Sequence, residues 1–213
     1  MVDIAATGPR DPKRSSRRAQ EVLDVATDLF YRLGYAAASV QDVARELNIT
    51  KGSVYHYITT KEDLLYWVVD EVHLDAEAII FDIIALDGLS PLERLFEYVK
   101  RQVEFNLTNL ARISVYYNEV DRLSASRRRE VAQWRSVHVE FVTRMISQAQ
   151  ERGEVDGDLD IRLATAHMFA VQIWPYQWYS DSGRLTKQAI AEDCARFVHY
   201  GLTGQRAPGR ASS

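Results

Sequence analysis

Cysteine is nearly absent from this chain. Of 213 residues only Cys194 carries a thiol, which excludes an internal disulfide framework and a cysteine-rich zinc site. Proline and glycine are also sparse, at 5 and 10, so collagen-like and Pro/Gly-rich disordered classes are excluded. No run reaches the roughly 18 consecutive apolar residues of a spanning helix, and no membrane partner is expected. The early charges Arg10, Lys13, Arg14, Arg17 and Arg18 precede no apolar segment. No secretory signal is read there, and the expected location is cytoplasmic. Period-2 strands and repeats of 20–50 residues are missing too. So are a phosphate-cradling Gly-rich loop and a recognisable Ser/His/Asp constellation. An enzyme is therefore the weaker expectation: no catalytic residue, no cofactor and no metal is assigned. Asp70, His73 and Glu77 do fall at i, i+3 and i+7, but read better as a solvated helix face than as metal ligands.

What remains is an ordinary globular composition, 46% hydrophobic and 26% charged, long enough for one domain or for a small domain on a larger one. The net charge of −4 argues weakly against nucleic acid, yet it is unevenly spread. Residues 1–61 carry +2 and residues 62–213 carry −6. A small basic end on an acidic body suggests that one end alone meets nucleic acid.

Apolar residues recur at three- and four-residue spacing almost throughout. Val22 to Leu33 marks a helix that stops at Gly34. Ser39 caps a short helix to about Glu46, and Thr50 caps another to about Tyr57. A long amphipathic helix covers 61–86. Ser90-Pro91 with Glu93 starts a helix to about Thr108. Further helices are predicted over 111–123, from Ser124 or Ser126 to Arg152, over 160–179, and from the Thr186 cap to about Thr203. The expected fold is all-α with about nine helices. The expected organisation is a loose tail at 1–12, a small domain at 13–61, a larger domain at 62–205, and a second tail at 206–213.

Residues 38–57 carry the functional signal. Two short helices are separated by a tight turn at Leu47–Ile49. Val40, Val43, Ala44 and Leu47 form the inner face of the first, and Ile49 and Val54 fill the wedge. In such a helix-turn-helix the second helix enters the major groove by its N-terminal residues. The groove-facing candidates are Thr50, Lys51, Gly52, Ser53, Tyr55 and His56, with Tyr57 packed inward. Hydroxyls and Lys suit phosphates and base edges, and Gly52 lets the backbone approach closely. Ser39 and Gln41 would serve from the first helix, and Lys13, Arg14, Arg17 and Arg18 would add phosphate contacts.

In the remainder, Phe105, Tyr116, Tyr117, Trp134, His138, Phe141, Trp174 and Trp178 are candidates to line an apolar ligand site. For any one of these aromatics a place in the core is about as good a reading. The helix at 160–179 is apolar nearly all round, which predicts burial on both sides. His167, Val171 and Trp174, with Ile190, Phe197 and Leu202 on the last helix, are the candidates for a two-fold interface, against an internal core helix. Arg127-Arg128-Arg129 reads as a solvated helix start or, less well, as a phosphate site. Asn118, Glu119, Asp121 and Arg122 stay open between polar handles and helix surface.

Phe30 to Gly34, Ser39 to Ala44, Ile49 to Tyr57 and Lys61-Glu62-Asp63-Leu64-Leu65, in this order and spacing, resemble the TetR-type transcriptional regulators. The resemblance covers roughly residues 14–66. It implies a three-helix DNA-binding head, residues 13–61, on an all-helical ligand-binding and dimerisation body, residues 62–205. It also implies a homodimer on a palindromic double-stranded DNA operator, and repression released by a small hydrophobic effector. Lys61 matches a motif position that usually contacts phosphate. The body, through Tyr116 to Leu123 and Trp174 to Leu185, is similar to regulators of fatty-acid and steroid-ring breakdown, the KstR2-like branch among them. That likeness makes an acyl-CoA thioester one candidate effector, and Arg127 to Arg129 would then meet its phosphates. The alternative is a DNA-binding or adaptor protein that needs no ligand.

Overall fold

The computed structural model describes residues 16–204, and every described element is helical. The expected tails, 1–12 and 206–213, and the Arg10, Lys13 and Arg14 candidates lie outside the described residues. Ten α-helices follow one another: α1 (Arg17–Leu33), α2 (Val40–Glu46), α3 (Lys51–Val54), α4 (Lys61–Ile84), α5 (Pro91–Thr108), α6 (Leu110–Glu119), α7 (Ala125–Glu151), α8 (Ile161–Ile173), α9 (Pro175–Trp178) and α10 (Lys187–Thr203). A short 3₁₀ turn, Val120–Arg122, follows α6. Counting α8 and α9 as one interrupted rod gives the nine expected helices.

Local chemistry sets most of the boundaries. Ser16 caps α1 by accepting from Ala19 N–H at 3.1 Å. Gly34 ends the helix at φ +80°, a conformation that side-chain-bearing residues rarely adopt. Ser39 and Asp42 form a reciprocal capping box at the start of α2. Asp160 accepts from Arg162 and Leu163 N–H to open α8, and Thr186 opens α10.

The sequence reads 160–179 as one helix, but the structure interrupts it before Pro175. Proline has no N–H to offer the carbonyl four residues back. The Val171 carbonyl is met instead by Cys194 Sγ at 3.9 Å, and that of Gln172 by Asn106 Nδ2 at 3.1 Å. At α3, the tight turns at 55–57 end the helix earlier than the predicted Tyr57.

The chain divides into two compact units. Among the described residues the first comprises 16–75 and 109–136, the second 76–108 and 137–204. Helices α4 and α7 therefore contribute to both, whereas the sequence-based division falls at 61/62. In the first unit, α1, α2, α3, the start of α4 and α6 bury Val22, Leu23, Ala26, Phe30, Val43, Ala44, Val54 and Leu64. The second is built on α5 and α10, which pack along much of their lengths with α8 beside them. Its core includes Leu95, Tyr98, Val103, Phe141, Met168, Ile190 and Ala195. Among the described residues no helix is long and apolar enough to cross a membrane.

Candidate nucleic-acid interface and effector site

The turn between α2 and α3 is closed by Ile49 N–H donating to Ala44 O at 2.9 Å. Asn48 takes the left-handed conformation, φ +53°, that Asn tolerates better than most residues. Ala44 and Val54 are fully buried, so the two helices meet on small apolar surfaces. Thr50 Oγ1 accepts from Ser53 N–H at 3.1 Å and lies 2.9 Å from Ser53 Oγ. With Val54 as the buried anchor, α3 turns Thr50, Lys51 and Gly52 outward, and Tyr55 and His56 follow on the exposed side. Tyr57 is half-buried. Lys51 Nζ stands 5.8 Å from the Tyr55 ring, so a cation and an aromatic hydroxyl share this surface.

The neighbouring candidates are less free. Gln41 is exposed on α2. Ser39 Oγ, besides accepting from Asp42 N–H, donates to Asp42 Oδ2 at 2.6 Å. That donation is the largest of the effects holding the Asp42 carboxyl below its ordinary range. Arg17 is exposed and pairs with Glu21 at 3.2 Å. Lys61 is turned onto the head itself: its ammonium donates to the Tyr35 carbonyl and lies 4.2 Å from the Tyr35 ring centre. Burial lowers its pKa.

Two buttresses within the first unit were not foreseen as such. Glu119 Oε1 accepts from Tyr35 N–H at 2.9 Å, tying the end of α6 to the loop after α1. Arg127 pairs with Glu62 at 3.3 Å and with Asp63, and lies 4.7 Å from the Tyr66 ring, tying the start of α7 to that of α4. Glu62 also accepts from Ser124 N–H at 3.0 Å, the leading cause of its lowered pKa. Arg127 is thus engaged, while Arg128 and Arg129 are exposed. An arginine run at a helix start carries no sign of which member will find a carboxylate 64 residues away in sequence.

The predicted ligand residues fall into separate groups. In the first unit His73 Nε2 lies 3.0 Å from the Tyr116 hydroxyl, which also accepts from Arg135 Nε, and His73 packs on Trp134. Tyr117 stacks edge-on to Tyr116 at 4.7 Å. In the second unit Tyr98, from α5, packs on Phe141 at 5.2 Å. Its hydroxyl lies 3.2 Å from His138 Nδ1. Burial pushes His138 down to about 4, so the ring is neutral at pH 7. Phe105 is half-buried. Trp174 and Trp178, expected to line the ligand site, are instead exposed at the surface. The interruption at Pro175 accompanies this change from the single helix that the sequence predicts. Tyr98, Gln102, Asn106 and Gln172 were missed as buried polar residues. The four-residue spacing of the first three on α5 was their available signal.

The interface candidates also divide. Ile190 and Leu202 are buried inside the second unit, in the α10 face that packs on α5, and are not available to a partner. Trp174 and Phe197 are exposed by 63% and 66%, and Leu163 and Tyr200 are comparably open. His167 is exposed and Val171 half-buried. Helix α10 has two apolar faces, and the sequence alone does not say which one the chain covers by itself.

Comparison with known proteins agrees with this architecture. Residues 22–66 match the family described as bacterial regulatory proteins, tetR family. Residues 88–202 match the tetracyclin repressor-like C-terminal domain. The HTH-type transcriptional repressor KstR2 of Mycobacterium tuberculosis (strain ATCC 25618 / H37Rv) is 28% identical over 193 residues, covering 89% of this chain and 94% of that protein. The structure of the ketosteroid transcriptional regulator KstR2 of Mycobacterium tuberculosis superposes with a TM-score of 0.82 at 26% identity, covering 90% of this chain and 97% of that one. AibR, solved in complex with isovaleryl coenzyme A and operator DNA, shares the fold with a TM-score of 0.75 at 23% identity, covering 84% and 96%. The chain belongs to the TetR family of bacterial transcriptional regulators.

Proposed function

We propose that this regulator is a ligand-responsive repressor. It binds a palindromic operator as a homodimer in the cytoplasm and is released by a small hydrophobic effector, with acyl-CoA thioesters as the first class to test. One observation carries the DNA half of this reading: α3 buries only Val54 and leaves Thr50, Lys51 and Gly52 outward at its N-terminal side, with Tyr55 and His56 exposed just after it. Those groups meet bases and phosphates in the major groove, with Ser53 beside them, Ser39 and Gln41 from α2, and Arg14, Arg17 and Lys61 on the backbone. Lys61 must first exchange its Tyr35 carbonyl for a phosphate.

Residues 13–61 then act as the reading head and 62–205 as the sensing and pairing body. The exposed Leu163, His167, Trp174, Phe197 and Tyr200 of α8 and α10 support the dimer, since a monomer seldom leaves so many large side chains open together. The AibR complex with isovaleryl coenzyme A supports the effector class. Helices α4 and α7 run through both units, which gives strain imposed by a ligand a covalent path to the head.

The test is fluorescence anisotropy of a labelled operator duplex, obtained by selection from random DNA, with isovaleryl-CoA and longer acyl-CoA esters added at fixed salt. Release by an ester but not by free coenzyme A supports the reading. Operator affinity that no acyl ester changes would remove the thioester class.

A further inference from the structure

Tyr98, Gln102 and Asn106 of α5 share one helical face at four-residue spacing, and all three are buried. The amides of Gln102 and Asn106 form a relay with a fixed direction. The Gln172 backbone carbonyl can only accept, and it takes Asn106 Nδ2 at 3.1 Å. That bond decides which way the Asn106 amide points. Asn106 Oδ1 therefore faces Gln102 and accepts from its Nε2 at 3.0 Å. Turning the Gln102 amide over would set oxygen against oxygen, so its orientation follows from its neighbour's. Gln102 Oε1 is left buried without a hydrogen-bond partner, in a residue 7% exposed. The Gln172 amide, by contrast, lies within hydrogen-bonding reach of the Tyr98 hydroxyl, and turning it over would pair its oxygen there. Native proteins rarely keep atoms such as Gln102 Oε1 unpaired, and those that persist are commonly accounted for by a water, an ion or a function.

The surroundings narrow the choice. Burial drives the Tyr98 phenol well above its ordinary pKa and the His138 imidazole down to about 4, so both are neutral at pH 7. No formal charge stands among Tyr98, Gln102, Asn106, His138 and Gln172. A carboxylate placed here would face an acceptor oxygen with no cation to offset its desolvation. A cation would lose its hydration with no counter-charge. A neutral donor meets neither cost.

We propose that Gln102 holds, through Oε1, a neutral hydrogen-bond donor of the effector, a hydroxyl or an amide N–H on an otherwise apolar skeleton. This rests on the reading of the chain as an effector-responsive regulator and narrows it. The buried polar set of the second unit selects for a donor on the ligand and against a carboxylate.

The test titrates the full-length protein with a matched series: 2-decanol, decanamide, 2-decanone and decanoate, read by calorimetry. The alcohol, the amide or both bind at least about tenfold more tightly than the ketone and the carboxylate. Which of the two prevails tells a hydroxyl from an amide source. Gln102→Leu and, separately, Gln102→Met remove the preference. Circular dichroism identifies which variant keeps its fold and is therefore the one to read. Equal affinities, a preference for ketone or carboxylate, no binding of any probe (the Gln102 oxygen then facing water only), or an unchanged preference in a folded variant overturns the proposal. Donor-selective binding in a protein whose operator no ligand releases would leave the relay standing and sink the sensing role. Release by acyl esters without donor selectivity would do the reverse.

Discussion

Val54 and its neighbours on α3 show how one buried residue arranges a reading surface. With Val54 fully buried, Lys51 and Tyr55 stay on the exposed side of α3. Replacing both by Ala should weaken operator binding by at least about tenfold, since each contact to base or phosphate is worth about 1 kcal/mol or more. The melting temperature should stay within a degree or two, because neither side chain is buried. A variant that binds like the parent would move the reading residues elsewhere. His138 offers a different residue-scale test. Its folded pKa, about 4, lies below that of an unfolded histidine, so the unfolded chain binds the extra proton on acidification. Its contribution is complete above the unfolded value and is lost as pH falls toward 4. Acidification from pH 7 to pH 5 should cost about 2 kcal/mol from this group. His138→Gln should flatten that part of the urea-midpoint profile; a slope identical to the parent's would contradict it.

At the scale of elements, legibility followed the range of the interaction that sets each boundary. Ser39, Thr50, Asp160 and Thr186 were readable as caps, or as the residue where a helix begins, because a cap acts across three residues. The α8–α9 interruption was missed because Pro175 was outweighed by an apolar pattern running on through Trp178. The sorting of α10 was missed because two apolar stripes on one helix carry no label. Ile190 and Leu202 belong to the stripe against α5, and Phe197 and Tyr200 to the open one. The long-range ties of Glu119 to Tyr35 and of Arg127 to Asp63 were beyond pattern reading, since they join residues 84 and 64 positions apart. If the open stripe is the pairing surface, Trp174→Asp with Phe197→Asp should yield a folded monomer by sedimentation at micromolar concentration. A dimer that persists would place the interface on another face.

For the whole molecule, the charge distribution frames the account. The first 61 residues carry +2 and the remainder −6, so a single head has little electrostatic hold on DNA. In the proposed dimer, specific affinity would come from pairing two heads over successive major grooves. The recognition helix and the family were legible in the sequence because that motif is local. The proposed donor site was not, because its residues come from α5, α7 and α8 and are joined only by folding. The most direct test is selection of binding sites from random duplex DNA by the full-length protein, alongside the Lys51→Ala, Tyr55→Ala variant. The account predicts enrichment of an inverted repeat whose half-sites lie one helical turn, about 34–36 Å, or a multiple of it apart, and its loss in the variant. Enrichment of a single unrepeated site, or the same repeat recovered by the variant, would contradict it.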